Sequence, residues 1–183
     1  MSDSHIRISI QAQRLHLYDL SSESGIDRID QIDRWDPDQM AQTTPRLSVD
    51  ISSSRNGIGQ DQGSFRTPVG RHYIRAKIGQ GAALHTVFVG RRPTGEIWNP
   101  ELAQAHPKRD WILTRILWLC GLERGVNRLG KVDTMRRYIY LHGSPPTVEM
   151  GEPGSIGCIR MRSQDIIDLY DLVPAGTTVD IQP

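Results

Sequence analysis

The sequence predicts a mainly β protein with a sandwich or barrel core, about eight strands and one or two helices. Three observations carry this expectation. Most hydrophobic runs alternate apolar and polar residues with period two and are rich in β-branched side chains. Gly- and Pro-dense stretches separate these runs. Only one run, near the C-terminus, has clear helical character.

Taken in order, HIRISIQAQRLHLYDL opens with Ile6, Ile8 and Ile10 on one face and continues with Leu15 and Leu17, the pattern of a strand pair. Residues 21–46 read differently. Asp27, Asp30, Asp33, Asp36 and Asp38 alternate with Ile26, Ile29, Ile32 and Trp35. The three-residue spacing does not match the every-second-residue ligands of a calcium loop, so a one-sided helical turn or solvated insertion is expected. RLSVDISSS reads as a strand entering a loop, and RNGIGQDQGSFRTPVG as a long connection of the kind that borders sites. GRHYIRAKIG, LHTVFVG and RRYIYLHG read as strands. WILTRILWLCG suits a buried helix or a strand, and the alternation of Ile112, Thr114, Ile116 and Trp118 favours the strand. SQDIIDLYDLV is the best helix, with Ser163 at the N-cap and Asp165 in the first turn where the dipole favours a carboxylate. PAGTTVDI turns into a last strand.

The 183 residues suit one domain with a real core, spanning 1–183 with the insertion at 21–46. With 22 Lys and Arg against 21 Asp and Glu, nothing supports a nucleic-acid surface. No apolar run reaches the length of a membrane span. MSDSHIRISIQAQ lacks a basic region followed by an apolar one, so no signal peptide is expected. Two cysteines allow one disulfide at most.

Those cysteines differ. Cys120 follows an apolar run and reads as a small hydrophobe. Cys158 lies in GSIGCIRMR, a Gly-rich loop just before the helix, beside Gly157 and close to Arg160. Backbone N–H groups in such a turn can face an acyl oxygen, and a nearby cation favours the thiolate. A thiol nucleophile needs a base. Among six histidines, His142 ends the RYIYLHG strand 16 residues before Cys158, a separation that lets a strand and a returning loop bring the two together. A solvated or capping histidine is the alternative at such a strand end. His72, His85 and His106 show no metal-ligand spacing, and no metal or cofactor is implied.

IYLHGSPPTVEMGEPGSIGCIRM resembles the active-site segment of the L,D-transpeptidase family, the YkuD-type catalytic domain. That family has His-Gly, some dozen residues, then Ser-His-Gly-Cys, an apolar residue and Arg or Asn. QAQRLHLYD resembles its opening strand pair, SSSRNGIGQDQGSFRTPVGRHYI the loop before its Thr-Pro-x-Gly signature, and DLYDLVPAGTTVDI its closing helix and strand. One departure is Ile156, where the family usually has histidine two positions before the nucleophile.

The resemblance implies a β-sandwich-like fold and a cysteine acyltransferase acting on peptidoglycan stem peptides, expected as a monomer and at work in the periplasm or cell wall. It implies Cys158 as nucleophile and His142 as base, with Gly157 and Cys158 N–H groups as oxyanion donors. The Gly143 carbonyl would orient the imidazole. Ser155 and Arg160 are candidates for shaping the loop and holding a substrate carboxylate, with an ion pair the alternative for Arg160. An L,D-carboxypeptidase, a secreted antibacterial effector of the same fold, and a non-catalytic peptidoglycan-binding domain are the rival readings.

Overall fold

The computed structural model describes residues 4–19 and 44–183. Apart from its last three residues, the expected 21–46 insertion lies outside the described residues, as does the aspartate series within it. The strands flanking it pair directly. β2 (Arg14–Asp19) runs antiparallel to β3 (Leu47–Asp50), with Leu17 opposite Leu47.

Among the described residues the fold is mainly β with two helices, as the alternating pattern predicts, and the strands hydrogen-bond into one branched, curled sheet. The remaining strands are β1 (Ser4–Ser9), β4 (Gly70–Ile78), β5 (Thr86–Val89), β6 (Arg92–Ile97), β7 (Ile112–Gly121), β8 (Tyr140–Ser144), β9 (Ile159–Arg162) and β10 (Thr178–Gln182). Helix α1 is Pro100–Ala105 and helix α2 is Ser163–Leu172. The path β3-β2-β1-β10-β4-β7 forms the body of the sheet.

The branch is at β7. Its C-terminal half pairs with β4, and Leu113 and Ile112 pair with β5, which continues β4 along the same edge. β8 takes the opposite edge and carries β9 beyond it in parallel. The register of β7 shifts between Leu113 and Ile116, and Thr114 there has φ 70°. Such a bulge bends a strand and increases its twist, here where the sheet divides.

Curling lets one core draw on almost every strand. Ile6, Ile8, Leu15, Leu17, Ile74, Leu117, Leu119, Leu141, Ile159, Met161 and Ile181 pack with Ile166, Leu169 and Tyr170 of α2. Each such side chain contributes about 1.5–3 kcal/mol when fully buried. Alternation then dictates the other face. With Leu141, Ile159 and Met161 turned into this core, Tyr140, His142 and Arg160 face away from it.

Ser163 is the first residue of α2 and not its cap; Arg162 holds the cap position without a side-chain bond. The Ser163 hydroxyl is committed elsewhere, accepting from Thr114 Oγ1 at 2.9 Å and donating to the Ser144 carbonyl at 3.3 Å. Both cysteines are free thiols. No helix among the described residues is long and apolar enough to cross a membrane.

Candidate active site

The loop leading to Cys158 is sewn to residues 52–67 by backbone and hydroxyl groups. The N–H groups of Gly154 and Ser155 both donate to the Ser53 carbonyl, each at 2.9 Å. Ser155 is buried and works inward. Its hydroxyl donates to the Cys158 carbonyl at 2.5 Å and accepts from the Gly157 N–H at 3.2 Å. Gly157 adopts φ 133°, a region glycine enters without strain. Its carbonyl accepts from Thr67 Oγ1 at 3.0 Å, and Thr67 Oγ1 in turn accepts from the Ser54 N–H at 3.0 Å. Arg137 secures the far side of the 52–67 loop through the carbonyls of Gly59, Gln60 and Arg66.

Cys158 is half-buried at the start of β9. Its sulfur accepts from the Tyr140 N–H at 3.4 Å, and its S–H donates to the Tyr138 carbonyl at 3.4 Å. Loss of hydration pushes the thiol up to about 12, against smaller opposing effects of the Tyr140 N–H, Arg160 and Arg137. The resting group is a neutral thiol.

His142 is 1 % exposed. The Gly143 carbonyl lies 2.8 Å from Nδ1 and accepts the proton carried there, which leaves the lone pair on Nε2. Nε2 is buried and has no hydrogen-bond partner among the described residues. Burial lowers the pKa of the imidazole, against the opposing effects of Gly143 and Asp110. Gly143 is glycine for a steric reason: a Cβ there would come within 2.7 Å of the Leu113 carbonyl. The approach of β8 to the β7 bulge depends on it.

The parallel register sets His142 opposite Arg160, and the Tyr140 contact extends the pairing back to Cys158. Thiol and imidazole therefore share the face of the sheet that looks away from the core. They are not hydrogen-bonded to each other, since Sγ is held by Tyr138 and Tyr140 and Nε2 by nothing described. Arg160 is engaged within the protein, pairing with Asp110 at 2.7 Å and donating to the Gly154 carbonyl at 3.1 Å. With the Gly157 N–H directed to Ser155, the Cys158 N–H is left without a bond among the described residues. Ile156, at the usual histidine position, is 41 % exposed on the rim. Tyr140 is buried, with Arg91 donating to its hydroxyl at 2.9 Å.

Sequence reasoning missed Asp110, the Tyr138 carbonyl and Arg137. Thr67 was visible as the first residue of the Thr-Pro-x-Gly signature, but nothing local revealed its bond to Gly157. Among the described residues no three His, Cys, Asp or Glu side chains are grouped to hold a metal.

The model of the L,D-transpeptidase catalytic domain, YkuD, matches residues 3–181. The putative L,D-transpeptidase YkuD of Bacillus subtilis (strain 168) is 39 % identical over 46 residues, 25 % of this chain and 28 % of that protein. Its Bacillus licheniformis counterpart is 38 % identical over 48 residues, 26 % of this chain and 29 % of that protein. Each alignment thus covers less than a third of the Bacillus protein. Among solved structures, L,D-transpeptidase 3 from Mycobacterium tuberculosis superposes with TM-score 0.53 at 16 % identity, covering 100 % of this chain and 62 % of that one. The L,D-transpeptidase from Mycobacterium smegmatis gives 0.52 at 14 % identity, covering 100 % and 59 %. This chain therefore spans about three-fifths of these structural relatives, and at such identities the likeness is one of fold.

Proposed function

This chain belongs to the L,D-transpeptidase catalytic-domain family, and from that premise we propose that it is a cysteine acyltransferase acting on peptidoglycan stem peptides in the periplasm or cell wall. The observation that carries the reading is the buried Nε2 of His142, fixed in tautomer by Gly143 and unpartnered on the same face as Cys158.

A neutral thiol beside a neutral imidazole is the starting state. The thiol leaves the Tyr138 carbonyl and gives its proton to Nε2 as sulfur attacks the carbonyl between the diamino acid and the terminal D-Ala of a stem tetrapeptide. The Cys158 N–H stabilises the oxyanion, and the Gly157 N–H joins it on release from Ser155. The C–N bond breaks, the D-Ala amine takes the proton from His142, and a thioester remains. An acceptor amine from a second stem then attacks, passes its proton through His142 to the departing sulfur, and forms a 3→3 cross-link. Water in its place gives the tripeptide. Arg160, paired with Asp110, braces the loop in this scheme, and Ser155 shapes it.

Purified disaccharide-tetrapeptide incubated with the protein and read by mass spectrometry tests this. The expected products are dimers with a 3→3 link, absent with Cys158→Ala. Tripeptide alone makes water the acceptor. No product from folded protein overturns the proposal.

A further inference from the structure

One cation in contact with Tyr138 and Tyr140, the residues that bond the Cys158 sulfur, is left unused by the acyl-transfer scheme. The β5–β6 hairpin closes through Gly90 and Arg91, with Val89 paired to Arg92 and φ of 55° and 68° at the two turn residues. Positive φ at both central positions is the two-residue turn that matches the strand twist. It commits Arg91 to a conformation that only a few per cent of non-glycine residues adopt. Phe88 anchors the hairpin in the apolar cluster of Ile116 and Tyr140, against which Trp118 and Cys158 pack.

The guanidinium of Arg91 is held by three aromatic residues. Its carbon lies 4.5 Å from the Trp118 ring centroid and 4.9 Å from that of Tyr138. One nitrogen donates to the Tyr140 hydroxyl at 2.9 Å. Tyr138 and Tyr140 are the two residues that bond the Cys158 sulfur. The cation thus meets the side chains of the two residues whose backbone groups hold the thiol.

The half-buried Arg91 has no carboxylate partner among the described residues, whereas Arg160 pairs with Asp110, Arg109 with Glu96, and Arg162 with Asp50. A guanidinium carries five N–H donors in a fork that fits a carboxylate. Ring faces hold its position without supplying a counter-charge.

We propose that Arg91 is a specificity-determining residue that receives a free carboxylate of the acyl donor beside Cys158. The inference rests on the acyl-transfer reading above. In that donor, each of the two residues joined by the scissile bond carries a free carboxylate: that of the terminal D-Ala and, at the end of its side chain, the second carboxylate of a diaminopimelate.

The first test needs no stem peptide. Alkylation of Cys158 by iodoacetate and by iodoacetamide is followed by peptide mass spectrometry in the wild type, Arg91→Met, Arg91→Lys and Arg92→Met. The neutral reagent reports thiol access and fold; the rate ratio of the two reports the cation. Arg91→Met is expected to lower the iodoacetate-to-iodoacetamide ratio about tenfold, in line with a charge-assisted hydrogen bond. Arg91→Lys should hold it within about threefold of wild type, because the charge is kept, and Arg92→Met should leave it unchanged. An unchanged ratio in Arg91→Met overturns the proposal.

The second test uses tetrapeptide donors with either carboxylate amidated. Arg91→Met is expected to raise KM for the free donor about tenfold with kcat within about threefold. The amidation that removes this difference identifies the carboxylate. Loss of the iodoacetate preference with no stem peptide turned over leaves the carboxylate site standing and refutes the substrate proposed above. Turnover with unchanged KM in Arg91→Met leaves the function standing and refutes Arg91 as its reader.

Discussion

Two buried histidines share nearly the same first contact in this molecule and differ in the second. His72 on β4 is fully buried, with Nδ1 2.8 Å from the Gly70 carbonyl and Nε2 3.0 Å from Thr134 Oγ1. His142 on β8 repeats the first contact, Nδ1 to Gly143 O at 2.8 Å, and lacks the second. Burial lowers the pKa of both, so both are neutral at pH 7. A hydrogen bond on each nitrogen makes His72 a strut, tying β4 to the 122–134 segment. One bond withheld leaves the His142 Nε2 lone pair open among the described residues, at a desolvation cost of about 1–3 kcal/mol, and the acyl-transfer proposal uses it as the proton acceptor. What separates the two imidazoles is a single hydroxyl, that of Thr134.

The largest break in this comparison is His142→Asn, which retains a donor near Nδ1. Acyl transfer should fall about 10²–10⁴-fold, with a thermal midpoint close to that of the wild type. A large loss of stability would mean that Nε2 is partnered in the native protein. His72→Ala should do the reverse. It removes two hydrogen bonds and opens a cavity beside Thr134, costing about 2–4 kcal/mol in chemical denaturation. Activity per folded molecule should stay within about threefold of the wild type.

A smaller effect sharpens the comparison through pH. His72 and the similarly buried His5 are pushed down to about 4 in the fold, against an unfolded value near 6.5. Below pH 6.5 the unfolded chain binds these protons first. Stability should therefore be full above about pH 6.5 and fall as pH drops toward about 4, by up to roughly 1.4 kcal/mol per pH unit for each histidine. Melts from pH 7 to 5 should show it, and His72→Gln should flatten the slope by one proton. The acid limb of kcat/KM should likewise lie below pH 6.5, because His142 is also shifted downward.

The strands were legible where alternation was long. β4 and β8 read directly from GRHYIRAKIG and RRYIYLHG, and β7 emerges as a strand over Ile112–Gly121. β6 went unread because Pro93 and Gly95 interrupt it, and β9 because four residues after a Gly-rich run show no period. Helix α1 did leave a signal: Asn99 caps it, accepting from the Leu102 N–H at 2.8 Å, and Pro100 opens it. Cys158 and His142 stood out by motif. The partners of Arg160 and Thr67 did not, because Asp110 and Gly157 lie 50 and 90 residues away and pairwise distance is not written in spacing.

The free side of β9 is occupied as well. Ser52 and Arg160 exchange both of their backbone hydrogen bonds, each at 2.9 Å. This lock removes the sheet margin nearest the thiol as a docking rail, since an incoming peptide finds no open ladder there to extend. A ligand must come down onto the face and be read by its side groups and charges. A chain that ends in a D-residue, and so is poorly suited to lengthen a regular strand, is a guest for which that route is no handicap.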